Sequence, residues 1–154
     1  MKINSDYYSQ RTISVMLVED NIMDRYLFTE ALSKVNNTEL FGIASNGIEA
    51  LLKIEQSIAL PDIIFSDISM PVMDGIEFLQ KILGNNRTKN IPVIILSSAT
   101  SQARFISSKG ARVFIKKPID TEVLREQIDV VINSNFLAFS GSYKNFSQEE
   151  YFIQ

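Results

Sequence analysis

The sequence predicts an α/β domain built on a doubly wound parallel sheet, and three observations carry that prediction. Short β-branched, apolar runs alternate along the chain with segments of helical period. The runs are almost continuously hydrophobic, the pattern of strands buried on both faces. The length of 154 residues suits one domain, large enough to bury a core without disulfides or a structural metal.

Five strands are expected at Ile13 to Val18, Glu39 to Ala44, Asp62 to Ser66, Pro92 to Ser97 and Arg112 to Lys116. Five helices fall between and after them. After Asn21, the residues Phe28, Ala31, Leu32 and Val35 recur at amphipathic helical spacing, and Asn36-Asn37 ends the segment. Asn46-Gly47 opens the second helix, with Ile48, Leu51 and Leu52 expected on its inner side. The third follows Asp74-Gly75, uses Ile76, Leu79, Ile82 and Leu83, and stops at Gly84-Asn85-Asn86. The fourth, around Ser101 to Lys109, has the weakest pattern. The last runs from Asp120, a predicted N-cap, to Asn135, with Leu124, Ile128 and Val131 inward. Right-handed crossovers place helices on both faces of such a sheet, and ligands bind beyond the carboxyl ends of its strands.

Composition narrows the chemistry before any motif is read. Hydrophobic residues make up 45% and charged residues 21%, ordinary for a folded soluble domain. There is no cysteine, which excludes disulfides, thiolate metal sites and cysteine nucleophiles, and there is no histidine to serve as a base or phosphoryl carrier. Any phosphoryl chemistry must therefore run on carboxylates. Net charge is −3, and Lys116-Lys117 is the only adjacent basic pair, so direct nucleic-acid binding is not expected. The apolar runs are too short to span a bilayer, and the polar start from Met1 to Gln10 lacks a signal-peptide core. A cytoplasmic protein without membrane contact is expected.

The strand ends read Glu19-Asp20, Asp67, Ser97 and Lys117-Pro118. Three carboxylates, a hydroxyl and an ammonium would converge there. Close carboxylates repel unless a divalent cation lets all of them ionise. Mg²⁺ suits the set, because it takes one or two carboxylates and keeps positions for water and a phosphate oxygen. A carboxylate beside such an ion can attack a phosphoryl donor and form an acyl phosphate, with Lys117 and Ser97 placed to meet the charge on the transferring oxygens.

Three stretches carry a family resemblance: Val18-Glu19-Asp20-Asn21, Asp67-Ile68-Ser69-Met70-Pro71-Val72-Met73-Asp74-Gly75, and Phe114-Ile115-Lys116-Lys117-Pro118. They resemble the signatures of response-regulator receiver domains, over Ile13 to Asn135. The resemblance implies a flavodoxin-like sheet of strand order 2-1-3-4-5 with five helices. It further implies that Asp67 is the phosphoacceptor and that Glu19, Asp20, Asp67 and the backbone carbonyl of Ser69 hold Mg²⁺. Lys117 would contact the phosphoryl group. Ser97 and Phe114 match the family's hydroxyl and aromatic switch residues, and Lys117-Pro118 matches its cis peptide. The donor would be a histidine kinase or a phosphotransfer protein. With no further domain expected, output would pass by conformational change to an unknown protein partner.

Bland readings stand beside these. Glu19-Asp20 alone is an ordinary strand-to-helix turn, Asp74-Gly75 is a turn and helix-start device, Ser97 can serve as a strand-end hydroxyl and Phe114 as a static core aromatic. The long Asp67 motif is the specific element. Between Ser97 and Gly110 the chain is about two residues shorter than the family pattern, which alters the usual output helix. Ser69 and Ala99 are small residues at positions that tune hydrolytic water, so no unusually protected acyl phosphate is expected. Residues 1–12 form an N-terminal extension, 13–135 the receiver, and 136–154 a tail rich in aromatics: Phe136, Phe139, Tyr143, Phe146, Tyr151 and Phe152. Ser147 to Glu150 has the form of a capping box for a short helix. The tail is either an extra turn packed on its own domain or a docking or dimer-forming arm. An aspartyl-phosphate phosphatase would place Asp-x-Asp after the first strand, a P-loop enzyme needs Gly-x-x-x-x-Gly-Lys-[Ser/Thr], and neither occurs. A scaffold-only receiver would not need the intact carboxylate, hydroxyl and lysine set.

Overall fold

The computed structural model describes residues 11–98, 101, 103–118, 120–133 and 152–153. In chain order the elements are β1 (Ile13–Val18), α1 (Ile22–Ser33), β2 (Thr38–Ala44), α2 (Gly47–Glu55), β3 (Ile63–Asp67), α3 (Gly75–Leu83), β4 (Val93–Ser97), α4 (Ala103–Ser108), β5 (Val113–Lys116), α5 (Thr121–Asn133) and β6 (Phe152–Ile153). The sheet order is β2-β1-β3-β4-β5-β6, and every pairing is parallel. The expected order 2-1-3-4-5 with five helices is present. A short sixth strand extends it, aligning Phe152 with Phe114 and Ile153 with Ile115.

Period-two alternation builds two cores from one sheet. Val15 and Leu17 of β1 join a buried cluster with Phe28 and Leu32 of α1 and Leu124 and Ile128 of α5. Met16 and Val18 face the other way, into a cluster with Ala50 and Ile54 of α2, Phe78 of α3 and Ile106 of α4. The helices thus cover both faces, which leaves the carboxyl ends of the strands as the open edge of the molecule.

The structure corrects several expectations. β2 is not buried on both sides: it lies at the sheet's edge, and Leu40 is exposed. In α2 the buried residues are Gly47, Ala50 and Ile54; Leu51 packs against the core as expected, whereas Ile48 and Leu52 face solvent. In α3, Phe78 joins Leu79 and Ile82 in the core. The fourth helix is reduced to Ala103–Ser108. Asp120 does cap α5, accepting hydrogen bonds from the Glu122 and Val123 N–H groups. Residues 1–10, Ala99, the tail aromatics from Phe136 to Tyr151 and the Ser147 to Glu150 capping box lie outside the described residues, as does the side chain of Phe152.

Candidate functional site

The acidic pair is fixed through its backbone. Glu19 N–H donates to the Ala44 carbonyl of β2 at 2.9 Å. Arg25, one turn into α1, donates from Nε to the Glu19 carbonyl at 2.6 Å and from Nη2 to the Asp20 carbonyl at 3.2 Å and Ser45 Oγ at 2.8 Å. Asn21 caps α1 by accepting from Asp24 N–H at 3.0 Å. The turn therefore presents two carboxylates while satisfying its own donors and acceptors.

Asp67 is the last residue of β3, and its Oδ1 accepts from Ile68 N–H at 2.7 Å. The loop behind it is folded tightly. Met73 N–H donates to the Pro71 carbonyl at 2.8 Å across Val72, whose φ of 70° marks a strained γ-turn. Gly75 N–H then donates to the Ile68 carbonyl at 2.8 Å. A Cβ at position 75 would sit 2.0 Å from the Asp67 carbonyl oxygen, so only glycine fits. Asp74 caps α3 by accepting from Glu77 N–H. The pair Asp74-Gly75 thus serves as the turn and helix start expected of it.

From the far side, Lys117 reaches across the strand ends. Its N–H donates to the Ser97 carbonyl at 2.9 Å, which ties the ends of β4 and β5 together. Its Nζ lies 2.7 Å from Glu19 Oε2, 2.8 Å from Asp24 Oδ2 and 3.3 Å from Asp67 Oδ2. Glu19, Asp20 and Asp67 each offer a carboxylate oxygen within 4.8 Å of the others. Glu19 is only 2% exposed. Burial pushes its carboxyl up to about 7, aided by the charge of Asp67 and opposed by hydrogen bonds from Lys117 and Asn21. For Lys117 burial acts downward, but hydrogen bonds to Asp24 and Glu19 and the charges of Asp67 and Glu19 outweigh it and hold the ammonium above its ordinary range.

Four of the sequence-predicted residues, Glu19, Asp20, Asp67 and Lys117, therefore converge, with Ser97 adjoining through the Lys117 backbone. Ser97 is buried at the end of β4, and exposed Ser69 lies two residues past Asp67. Phe114 stands apart in the core, 2% exposed, in the same cluster as Ile95 and Ile106. The expected cis bond at Lys117-Pro118 is absent, as the described peptide bonds are all trans. Before proline the two isomers differ by only about 0.5–1 kcal/mol in favour of trans. Sequence reasoning missed Asp24 and Arg25. Asn21-x-x-Asp24 looks like a helix-start device, which hides the second role of the Asp24 carboxylate. Arg25 acts on carbonyls, for which sequence carries no mark.

Three oxygen-donating carboxylates, one of them exposed, fit a hard divalent cation such as Mg²⁺. The model of the response regulator receiver domain family matches residues 15–129. The chain belongs to that family. As a receiver it is similar to the protein-glutamate methylesterase/protein-glutamine glutaminase of Bacillus subtilis, 36% identical over 75% of this chain and 34% of that protein. It is also similar to chemotaxis protein CheY1 of Helicobacter pylori strain J99, 29% identical over 80% of this chain and 99% of that protein. The receiver thus spans about a third of the methylesterase's length and nearly all of the chemotaxis protein's. Among solved structures, the phosphorylated cyanobacterial phytochrome response regulator RcpA superposes with a TM-score of 0.71 at 27% identity, covering 85% of this chain and 97% of that one. Receivers are signalling domains that hold Mg²⁺ in an acidic pocket, and here that pocket is the Glu19, Asp20 and Asp67 cluster. No helix among the described residues is long and apolar enough to cross a membrane.

Proposed function

We propose that Asp67 accepts a phosphoryl group from a histidine kinase or phosphotransfer protein, and that the change is passed to a protein partner. The observation that carries this reading is the Lys117 ammonium lying 3.3 Å from a carboxylate that sits inside an acidic cluster. In the transfer, an Asp67 carboxylate oxygen forms a bond to phosphorus while the bond from phosphorus to the donor's imidazole nitrogen breaks, and that nitrogen keeps the electron pair and takes up a proton. Mg²⁺, when bound, supplies charge neutralisation at the transferring oxygens. Glu19, Asp20, Asp67 and the Ser69 carbonyl would hold it. Lys117 binds the phosphoryl oxygens, Ser97 offers its hydroxyl to them, and Phe114 follows Ser97 as the switch. Exposed Ile22, Met23 and Tyr26 on α1 form an apolar surface beside the acidic turn, suited to docking the donor.

The pairing of β6 with β5 supports a C-terminal segment that packs on its own domain rather than a dimer-forming arm. The test of the central claim is intact mass after incubation with acetyl phosphate, with and without Mg²⁺, for the native protein and Asp67→Ala. One phosphoryl gain that needs both Mg²⁺ and Asp67 is expected. No gain with any phosphodonor would leave a scaffold-only receiver.

A further inference from the structure

Lys117 is shared among three carboxylates, and the two nearest are not the acceptor. Its Nζ is 2.7 Å from Glu19 and 2.8 Å from Asp24, but 3.3 Å from Asp67. A phosphoryl group arriving on Asp67 brings further negative charge, so the ammonium must turn toward it and weaken another contact. The Lys117 backbone is pinned by its hydrogen bond to the Ser97 carbonyl, so the adjustment falls on the side chain.

Glu19 and Asp24 differ in how readily they can release it. The Glu19 side chain is 2% exposed, and a bare carboxylate left there would be poorly solvated. The Asp24 side chain is 38% exposed, so water replaces the ammonium at little cost. The cavity of about 30 Å³ beside Asp24, Glu19 and Lys117 is otherwise lined mainly by apolar side chains such as Leu17, Phe28 and Leu96, so the replacing water comes from the exposed side of Asp24. Asp24 also lies outside the carboxylate cluster that a cation would neutralise.

We propose that Asp24 is a positioning residue that holds the Lys117 ammonium toward α1 before phosphorylation and yields it to the phosphoryl group, so that its charge restrains the reaction at Asp67. The inference rests on Asp67 being the acceptor. It assigns Asp24 a role opposite to that of Lys117: removing the carboxylate should speed phosphorylation, not slow it.

The experiment measures initial phosphorylation by intact mass, using subsaturating acetyl phosphate and saturating Mg²⁺, for the full chain and for Asp24→Asn and Asp24→Glu. In the reaction the Asp67 oxygen bonds phosphorus and acetate leaves with the electron pair. Asp24→Asn should react about two- to fivefold faster, the range expected for a partly exposed ion pair, while Asp24→Glu returns to the native rate. A helix-start role alone predicts no gain in rate and no rescue by glutamate. If the native protein is phosphorylated but Asp24→Asn is equal or slower, or Asp24→Glu is as fast as Asp24→Asn, the inference fails and the acceptor reading stands. If the native protein takes no phosphoryl group from acetyl phosphate or phosphoramidate, the acceptor reading fails and takes the inference with it.

Discussion

Glu19 is a buried carboxyl whose charged form the fold disfavours. In the unfolded chain its carboxyl titrates near 4.5, and in the folded protein near 7. Between those values the folded state holds a proton that the unfolded state has released. Its contribution to stability is thus fully present below about pH 4.5 and is lost as pH rises through about 7. Without divalent cations, melting temperature should fall between about pH 5 and pH 8, and Glu19→Gln should flatten that slope. Mg²⁺ should restore stability most at the alkaline end, where the carboxylate is already free to bind it. Thermal melts with chelator or Mg²⁺ across this range check the expectation, and equal slopes for the two proteins would refute it. The convergence of Glu19, Asp20, Asp67 and Lys117 was legible in sequence because all four stand at strand ends. The sharing of Lys117 among Glu19, Asp24 and Asp67 was not legible, since it depends on which way a long side chain turns.

At the scale of elements, the turn from β3 into α3 is what fixes Asp67. Gly75 lets the chain pass so close to the Asp67 carbonyl that a Cβ would overlap it at 2.0 Å, with backbone rather than a yielding side chain on the other side. Gly75→Ala should therefore destabilise the domain by roughly 2–3 kcal/mol, the upper part of the range for overpacking, and displace Asp67 as well. Urea unfolding together with Mg²⁺-dependent phosphorylation measures both effects, and an unchanged midpoint would contradict the close approach. The sequence showed this turn through Asp74-Gly75 but misassigned the inner face of α2. There, large apolar residues pointed to Ile48, Leu51 and Leu52, of which Leu51 does pack against the core while Ile48 and Leu52 do not. The packed face instead uses Gly47 and Ala50, because a Cβ at position 47 would come within 2.7 Å of the Met73 side chain. Periodicity of large residues does not register close packing by small ones.

At the scale of the whole molecule, the alternation of strands and helices was enough to read the sheet, because β1, β3, β4 and β5 are largely buried on both faces and each crossover has one allowed hand. The sixth strand escaped that reasoning, as Phe152–Ile153 is too short for a period and its partner is distant in sequence. Its position has a physical consequence: without it, β5 is the outer strand and presents unpaired backbone groups to solvent, a template for association. A segment that pairs with β5 of its own chain competes against pairing between copies. The full chain should therefore stay monomeric on dilution and concentration, while deletion of residues 134–154 should speed amide exchange in Val113–Lys116 and promote association at high concentration. Light scattering with hydrogen exchange on both forms decides the matter. A full-length dimer that becomes a monomer on truncation would show instead that the segment reaches across to a second copy.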